Sequence, residues 1–238
     1  MSDAYIVDGV RTAIASFAGS LSEARPDDLA ALTIRRLLER YPELDGARIN
    51  EVILGCANQS GEDNRNVARM ALLLAGLPVT VPGQTVNRLC ASGMTAAASA
   101  ARAIRSGDGD IYIAGGVESM TRAPYVFSKS AKPFARDVEM FDTSLGWRFV
   151  NATMREMYGV DSMGQTAENV ADQFKVSRQD QDLFACRSQT KAAEARSSGR
   201  FAVEITAVDL AAVKKGAAPR SFADDEFIRP DTTLEECR

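Results

Sequence analysis

Three observations predict an α/β protein, with βαβ units around a mixed, mostly parallel sheet and a second domain inserted into it. Over residues 1–118, short apolar strands alternate with stretches of helical period at the spacing that parallel strands require. From Ser119 to Tyr158 that alternation dissolves into an irregular run holding Pro124, Pro133 and several aromatics. Two helical stretches then follow without a renewed strand–helix rhythm. The expected division is an α/β domain over 1–118 and an inserted loop domain over 119–238, the chain stopping before it returns to the first domain.

Each element has a local reason. Tyr5–Val7 reads as a first short strand. Pro26 followed by Asp27 and Asp28 opens a helix through Leu29, Leu32, Ile34, Leu37 and Leu38, with proline and acids where a first turn accepts them. Glu51–Leu54 is a second strand leading into Gly55-Cys56-Ala57-Asn58. Asn66–Ala75 is a helix stopped by Gly76 and Pro78. Gln84–Asn87 is a third strand, Ala91–Ile104 an alanine-rich helix, and Ile111–Ala114 a fourth strand ending at Gly115-Gly116. Beyond the irregular run, Gln165–Phe174 and Arg178–Arg196 are helices, the second capped by Ser177 with Asp180 at the capping-box position. Val203–Val208 alternates as a short strand, and the remainder is loop-like.

Composition narrows the function. The chain has 238 residues, 45% hydrophobic and 25% charged, an ordinary globular balance with ample core. A net charge of −4 argues against a nucleic-acid partner. No apolar run reaches the roughly 18 residues of a membrane span, and Met1–Val10 lacks a signal peptide's cationic start, so no membrane partner is expected. Cys56, Cys90, Cys186 and Cys237 are scattered without metal-ligand spacing, as in a reduced, cytoplasmic protein with free thiols. There is no histidine, so this chain alone holds no Cys–His or Ser–His–Asp pair, and a zinc site is not expected.

Against that background Cys90 stands out. It lies in Thr85-Val86-Asn87-Arg88-Leu89-Cys90-Ala91-Ser92-Gly93-Met94, where the third strand ends and the alanine-rich helix begins. Unpaired N–H groups and the positive end of a helix dipole favour a thiolate there. Open α/β sheets also place ligands beyond the carboxyl ends of their strands. Two readings stand: a buried structural cysteine, or a nucleophile with Arg88 nearby and small residues clearing an approach. Glu118, a lone carboxylate after the fourth strand, reads as structural rather than as an acid–base group.

Five runs, in order, resemble the thiolases, the acyl-CoA acyltransferases. They are Val10-Arg11-Thr12; Gly61-Glu62-Asp63-Asn64-Arg65-Asn66-Val67-Ala68-Arg69; Asn87 to Met94; Gly115-Gly116-Val117-Glu118-Ser119-Met120; and Thr166-Ala167-Glu168-Asn169-Val170-Ala171. The second run and Gly146-Trp147-Arg148-Phe149-Val150-Asn151 resemble the members that act on 3-oxoadipyl-CoA in aromatic degradation. All these runs belong to the family's first half: a thiolase-like N-terminal domain with its inserted loop domain, the C-terminal thiolase domain being absent.

The resemblance implies acyl transfer between CoA thioesters in two half-reactions. The cysteine matched by Cys90 takes the acyl group of a 3-oxoacyl-CoA, acetyl-CoA departs, and a second CoA thiol removes the acyl group. Coenzyme A is then a substrate, no cofactor is implied, and the full-length family forms homo-oligomers. In the family a C-terminal histidine activates the nucleophile, a second cysteine handles the proton, and further donors hold the oxyanions. Met163 matches a methionine lining the pantetheine and acyl pocket; its alternative is an ordinary core methionine. Arg229 matches an arginine that packs on the CoA adenine; its alternative is a solvated surface charge. Short-chain biosynthetic members carry histidine where this chain has Ser162, which argues against acetoacetyl-CoA. The chain on its own is expected to be catalytically incompetent. The competing reading is a non-catalytic truncated product, or a CoA-binding or interaction module with a thiolase-like first half.

Overall fold

The computed structural model describes residues 3–210 and 220–237. The chain forms two compact units, Met1–Pro124 with Glu204–Glu226, and Tyr125–Val203 with Phe227–Arg238.

The first unit is built on three parallel strands, β2 (Glu51–Gly55), β3 (Gly83–Val86) and β4 (Tyr112–Gly116), in the order β3-β2-β4. The central strand β2 pairs Val52 with Gly83 and Ile113, and Gly55 with Val86 and Gly116. Strand periodicity sends its side chains to opposite faces. Val52 and Leu54 join the main core with Ala31 and Ile34 of α1 (Pro26–Glu39) and Ala68 and Leu72 of α2 (Val67–Leu74). Ile53 meets Ala96 and Ala100 of α3 (Ser92–Ser106) on the other face.

The helix ends follow the local chemistry. Pro26 starts α1, and Arg25 just before it pairs with Asp27 at 2.8 Å. Asn66 caps α2, its Oδ1 accepting the Arg69 N–H at 3.2 Å. Gly107, at φ +83°, closes α3 in the left-handed conformation, with the Asp108 N–H reaching the Ala103 carbonyl.

Two expectations are corrected. Tyr5–Val7 forms no strand; these residues are 78%, 94% and 79% exposed. Residues 4–8 instead line a cavity of about 560 Å³ together with Ile111–Ala114 and join no ladder, and high strand propensity without a backbone partner makes no strand. The segment is tied down through Asp8, which accepts from Arg40 at 3.0 Å and from the Tyr41 hydroxyl at 3.3 Å. The first strand is β1 (Arg11–Thr12).

The division at 118 also moves. The first unit runs on to Pro124, and the chain does re-enter it over Glu204–Glu226. There β7 (Ile205–Thr206) pairs in parallel with β1. The antiparallel pair β8 (Val208–Leu210) and β9 (Arg220–Phe222) follows. Long-range ion pairs hold this return: the Arg11 guanidinium meets Glu204 at 2.8 Å and Asp225 at 2.8 Å. Glu226 accepts from the backbone N–H of Ser16 at 2.6 Å and from the hydroxyls of Ser16 and Ser20 at 2.7 and 2.5 Å.

The second unit contains the hairpin β5 (Tyr125–Phe127) and β6 (Met140–Asp142) and the helices α4 (Ala152–Tyr158), α5 (Met163–Phe174) and α6 (Arg178–Ser197). Asn151, Ser162 and Ser177 cap these helices through their side-chain oxygens. Phe141 and Phe149 meet edge to face at 5.0 Å. None of its described hydrophobic residues is buried, consistent with the lost period after residue 118.

Candidate active site

The carboxyl ends of β2, β3 and β4 converge on the turn that carries Cys90. The Cys56 N–H reaches the Val86 carbonyl at 3.1 Å and the Val117 N–H reaches the Gly55 carbonyl at 3.0 Å, so all three strands are still in register at their exits. Gly55 is required by close approach. A Cβ there would collide with the Ser92 carbonyl carbon and the Gly93 nitrogen, and one at Gly116 would lie 2.9 Å from the Gly55 oxygen. Without these side chains the first turn of α3 sits directly on the strand ends.

The turn itself is over-determined. Ser92 Oγ donates to the Leu89 carbonyl at 2.6 Å and accepts the Arg88 N–H at 2.8 Å. The N–H groups of Ala91 and Ser92 close onto the carbonyls of Arg88 and Leu89 at 3.1 and 3.0 Å. Leu89 is thereby held at φ +48°, a left-handed conformation that a leucine rarely adopts. Cys90 follows, exposed, one residue before Ala91, the N-cap, which offers no side-chain oxygen to the first-turn N–H groups of α3. In this chain the Cys90 thiol is exposed rather than buried.

Of the four cysteines only Cys90 is exposed. Cys56 is buried beside two carboxylates, and burial, with Glu118 and Asp63 adding to it, pushes its thiol up to about 12. Its Sγ donates to the Asn58 carbonyl at 3.4 Å and to Asp63 at 3.7 Å. Cys186 and Cys237 are half-buried in the second unit. Burial raises the Asp63 carboxyl, and it raises that of Glu118 against the pull of two backbone N–H groups, those of Ala57 and Asn58.

The other predicted residues lie on the second unit. Met163 opens α5 and is 77% exposed, so it is not a core methionine. Arg229 is exposed, its backbone N–H donating to Gln189 Oε1 at 2.7 Å. In the Gly61–Arg69 run, Glu62 serves structure. It binds Arg122 at 2.5 Å and Arg25 at 3.0 Å, tying the loop after β4 to the start of α1. The sequence does not single out Asn87, Ser92 and Gly55 as the residues that shape the turn, while Glu118, read there as structural, accepts the Ala57 and Asn58 N–H groups. Asn87 and Ser92 flank the cysteine in the matched run, and that placement was the available signal.

Comparison with known proteins agrees with this geometry. The family described as "Thiolase, N-terminal domain" matches residues 4–238. The chain is 59% identical over 238 residues to the 3-oxoadipyl-CoA/3-oxo-5,6-dehydrosuberyl-CoA thiolase of Escherichia coli K12, covering all of this chain and 59% of that protein. It is 58% identical to the beta-ketoadipyl-CoA thiolase of Pseudomonas knackmussii, covering 98% of this chain and 57% of that one. Its fold matches the crystal structure of the Bacillus anthracis acetyl-CoA acetyltransferase with a TM-score of 0.80 and 34% identity, over 95% of this chain and 55% of that one. The chain thus spans less than two thirds of each of these relatives. Its matched residues, its fold and its cysteine-bearing turn lead to one conclusion: this chain belongs to the thiolase family, whose N-terminal domain it carries.

Proposed function

We propose that this chain supplies the acyl-accepting half of a thiolase that cleaves a 3-oxoacyl-CoA, with 3-oxoadipyl-CoA as the substrate. The observation that carries the reading is the exposed Cys90 on a rigid turn at the carboxyl ends of three parallel strands. The names of the relatives at 58–59% identity support the substrate. The exposed Met163 and Arg229 are proposed to contact the pantetheine and adenine parts of coenzyme A. Coenzyme A is a substrate in this reading, and the chemistry calls on no further cofactor.

In the first half-reaction the Cys90 sulfur, as thiolate, attacks the 3-oxo carbon. The C2–C3 bond breaks, its electron pair leaves on acetyl-CoA, and a proton is delivered to that carbon. In the second, the thiol of another CoA attacks the Cys90 thioester, and Cys90 leaves as thiolate. Both steps need a base or acid within about 3 Å of the reacting atoms, and such groups contribute roughly 10²–10⁴-fold each. The chain has no histidine, and Glu118 and Asp63 hold backbone N–H groups instead. The proton-handling groups are therefore assigned to polypeptide corresponding to the part of the relatives that this chain does not span. The same reading takes the working form to be a homo-oligomer and its compartment the reducing cytoplasm, where free thiols persist. No described helix is long and apolar enough to cross a membrane.

Co-expression tests this. The purified chain should show no detectable thiolysis of 3-oxoadipyl-CoA. Activity should appear when a polypeptide matching the remainder of a relative is supplied, and Cys90→Ser should abolish it, because a hydroxyl's far higher pKa leaves almost no anion to attack. Turnover by the lone chain, unaffected by Cys90→Ser, would overturn the proposal. Binding of coenzyme A without turnover in the complemented assembly would favour the non-catalytic module instead.

A further inference from the structure

We propose that Glu118 is a positioning residue for Cys90: through the Ala57–Asn58 turn and Asn87 it holds Leu89 in the left-handed conformation that presents the thiol. This rests on the reading of Cys90 as the acyl-accepting nucleophile.

The path is continuous. Glu118 leaves the end of β4, where its neighbour Val117 is bonded to Gly55, so its backbone is anchored to the sheet. One carboxylate oxygen accepts the Ala57 N–H at 2.7 Å, and the other accepts the Asn58 N–H at 3.3 Å. That fixes the orientation of the turn after β2. The Ala57 carbonyl accepts Asn87 Nδ2 at 2.8 Å, which leaves Asn87 Oδ1 to accept the Leu89 N–H at 2.9 Å. Leu89 at φ +48° is the residue immediately before Cys90. A left-handed leucine persists only where its surroundings impose it. Ser92 holds the Leu89 carbonyl side, and Asn87 holds the N–H side.

Both oxygens of Glu118 are occupied as acceptors of backbone N–H groups, an arrangement that fits an ionised carboxylate. The role assigned to Glu118 is therefore to hold the turn after β2, through one backbone N–H on each carboxylate oxygen. Burial raises this carboxyl, against the pull of the two backbone N–H groups. Glutamine at this position would retain one acceptor and turn an NH₂ group toward a backbone N–H, breaking the first link without changing side-chain size.

The test is the alkylation rate of Cys90 by iodoacetamide as a function of pH, read by peptide mass spectrometry on the whole 238-residue chain, with Cys186 and Cys237 as internal references. The variants are Glu118→Gln, Asn87→Ala and the two combined. Each single change should lower the Cys90 rate about tenfold relative to Cys186, the order of one charge-assisted hydrogen bond lost, and should move the midpoint of its pH profile. The double variant should lose no more than the larger single, because both break one chain of bonds. A purely structural role would shift the melt and leave the pH profile in place. A Cys90 rate that is unchanged or raised in Glu118→Gln, or fully additive losses, overturns the proposal. If Glu118→Gln does not fold, Asn87→Asp decides: it keeps the acceptor for Leu89 but loses the donor to Ala57, and an unchanged Cys90 profile there overturns the relay. Failure of the parent reading shows differently, as a wild-type Cys90 no more reactive than Cys186, while the change between variants still judges the relay.

Discussion

Adding one methyl group at Gly55 probes the seat of the nucleophile turn. The alanine Cβ would collide with the Ser92 carbonyl carbon and the Gly93 nitrogen, backbone atoms of the first turn of α3 that have no rotamer to escape into. Overpacking costs about 1–3 kcal/mol, and a collision with backbone rather than a flexible side chain belongs at about 3 kcal/mol. For a domain of this size that lowers the Tm by roughly 6–12 °C. Gly93→Ala is the matched control. Its Cβ would meet only the Gly115 oxygen, at 3.8 Å, an ordinary contact, and replacing a helical glycine stabilises by about 0.5–1 kcal/mol. Thermal melts followed by circular dichroism, with Cys90 alkylation measured below the transition, should show Gly55→Ala destabilised and its Cys90 rate altered, and Gly93→Ala equal to or above wild type. A Gly55→Ala protein that melts within about 1 °C of wild type, with an unchanged Cys90 rate, would refute the claim that the turn rests on the strand ends.

Further outcomes follow from single contacts. Brief iodoacetamide treatment near neutral pH should label Cys90 first and Cys56 last, since Cys90 is exposed and the Cys56 thiol is pushed up to about 12; equal labelling of Cys90 and Cys186 would count against the assignment. Hydrogen bonds from Ser20 and Ser16 hold the Glu226 carboxyl at about 2, below its ordinary 4.5. A depressed folded pKa means that this stabilisation is fully present above about pH 4.5 and is lost as pH falls toward 2, so urea unfolding of Glu226→Gln should converge on wild type across that window; a difference that persists at pH 2 contradicts it. Asn66→Ala should cost about 1–2 kcal/mol in urea unfolding, because Asn66 caps α2 and also bonds the Gly83 carbonyl and the Thr85 hydroxyl of β3; a loss below about 0.5 kcal/mol would show that water replaces these bonds.

What the sequence made legible was what is local. The helices α1, α2, α3, α5 and α6 carry their start and stop chemistry within a few residues, and their bounds fall within about two residues of the expected ones. Cys90 was legible because a strand end, a small-residue run and a helix start meet within ten residues. Tyr5–Val7 differs from the expectation because a strand is a property of a pair, and its own residues cannot show that no described strand pairs with it. The return of Glu204–Glu226 was missed because Arg11, nearly two hundred residues earlier, is what binds Glu204 and Asp225. Glu118 looked like a lone carboxylate for the same reason: its partners, the N–H groups of Ala57 and Asn58, lie some sixty residues away in the chain.

The central claim is that Cys90 accepts the acyl group. The direct measurement is peptide mass spectrometry of the complemented assembly, quenched in acid after incubation with 3-oxoadipyl-CoA and no free coenzyme A. Cleavage between C2 and C3 leaves a four-carbon diacid residue, so the Cys90 peptide should carry a succinyl thioester that hydroxylamine removes and added coenzyme A discharges. A succinyl group on Cys56, Cys186 or Cys237 instead, or acetyl-CoA released while Cys90 stays unmodified and Cys90→Ser turns over normally, would contradict the account.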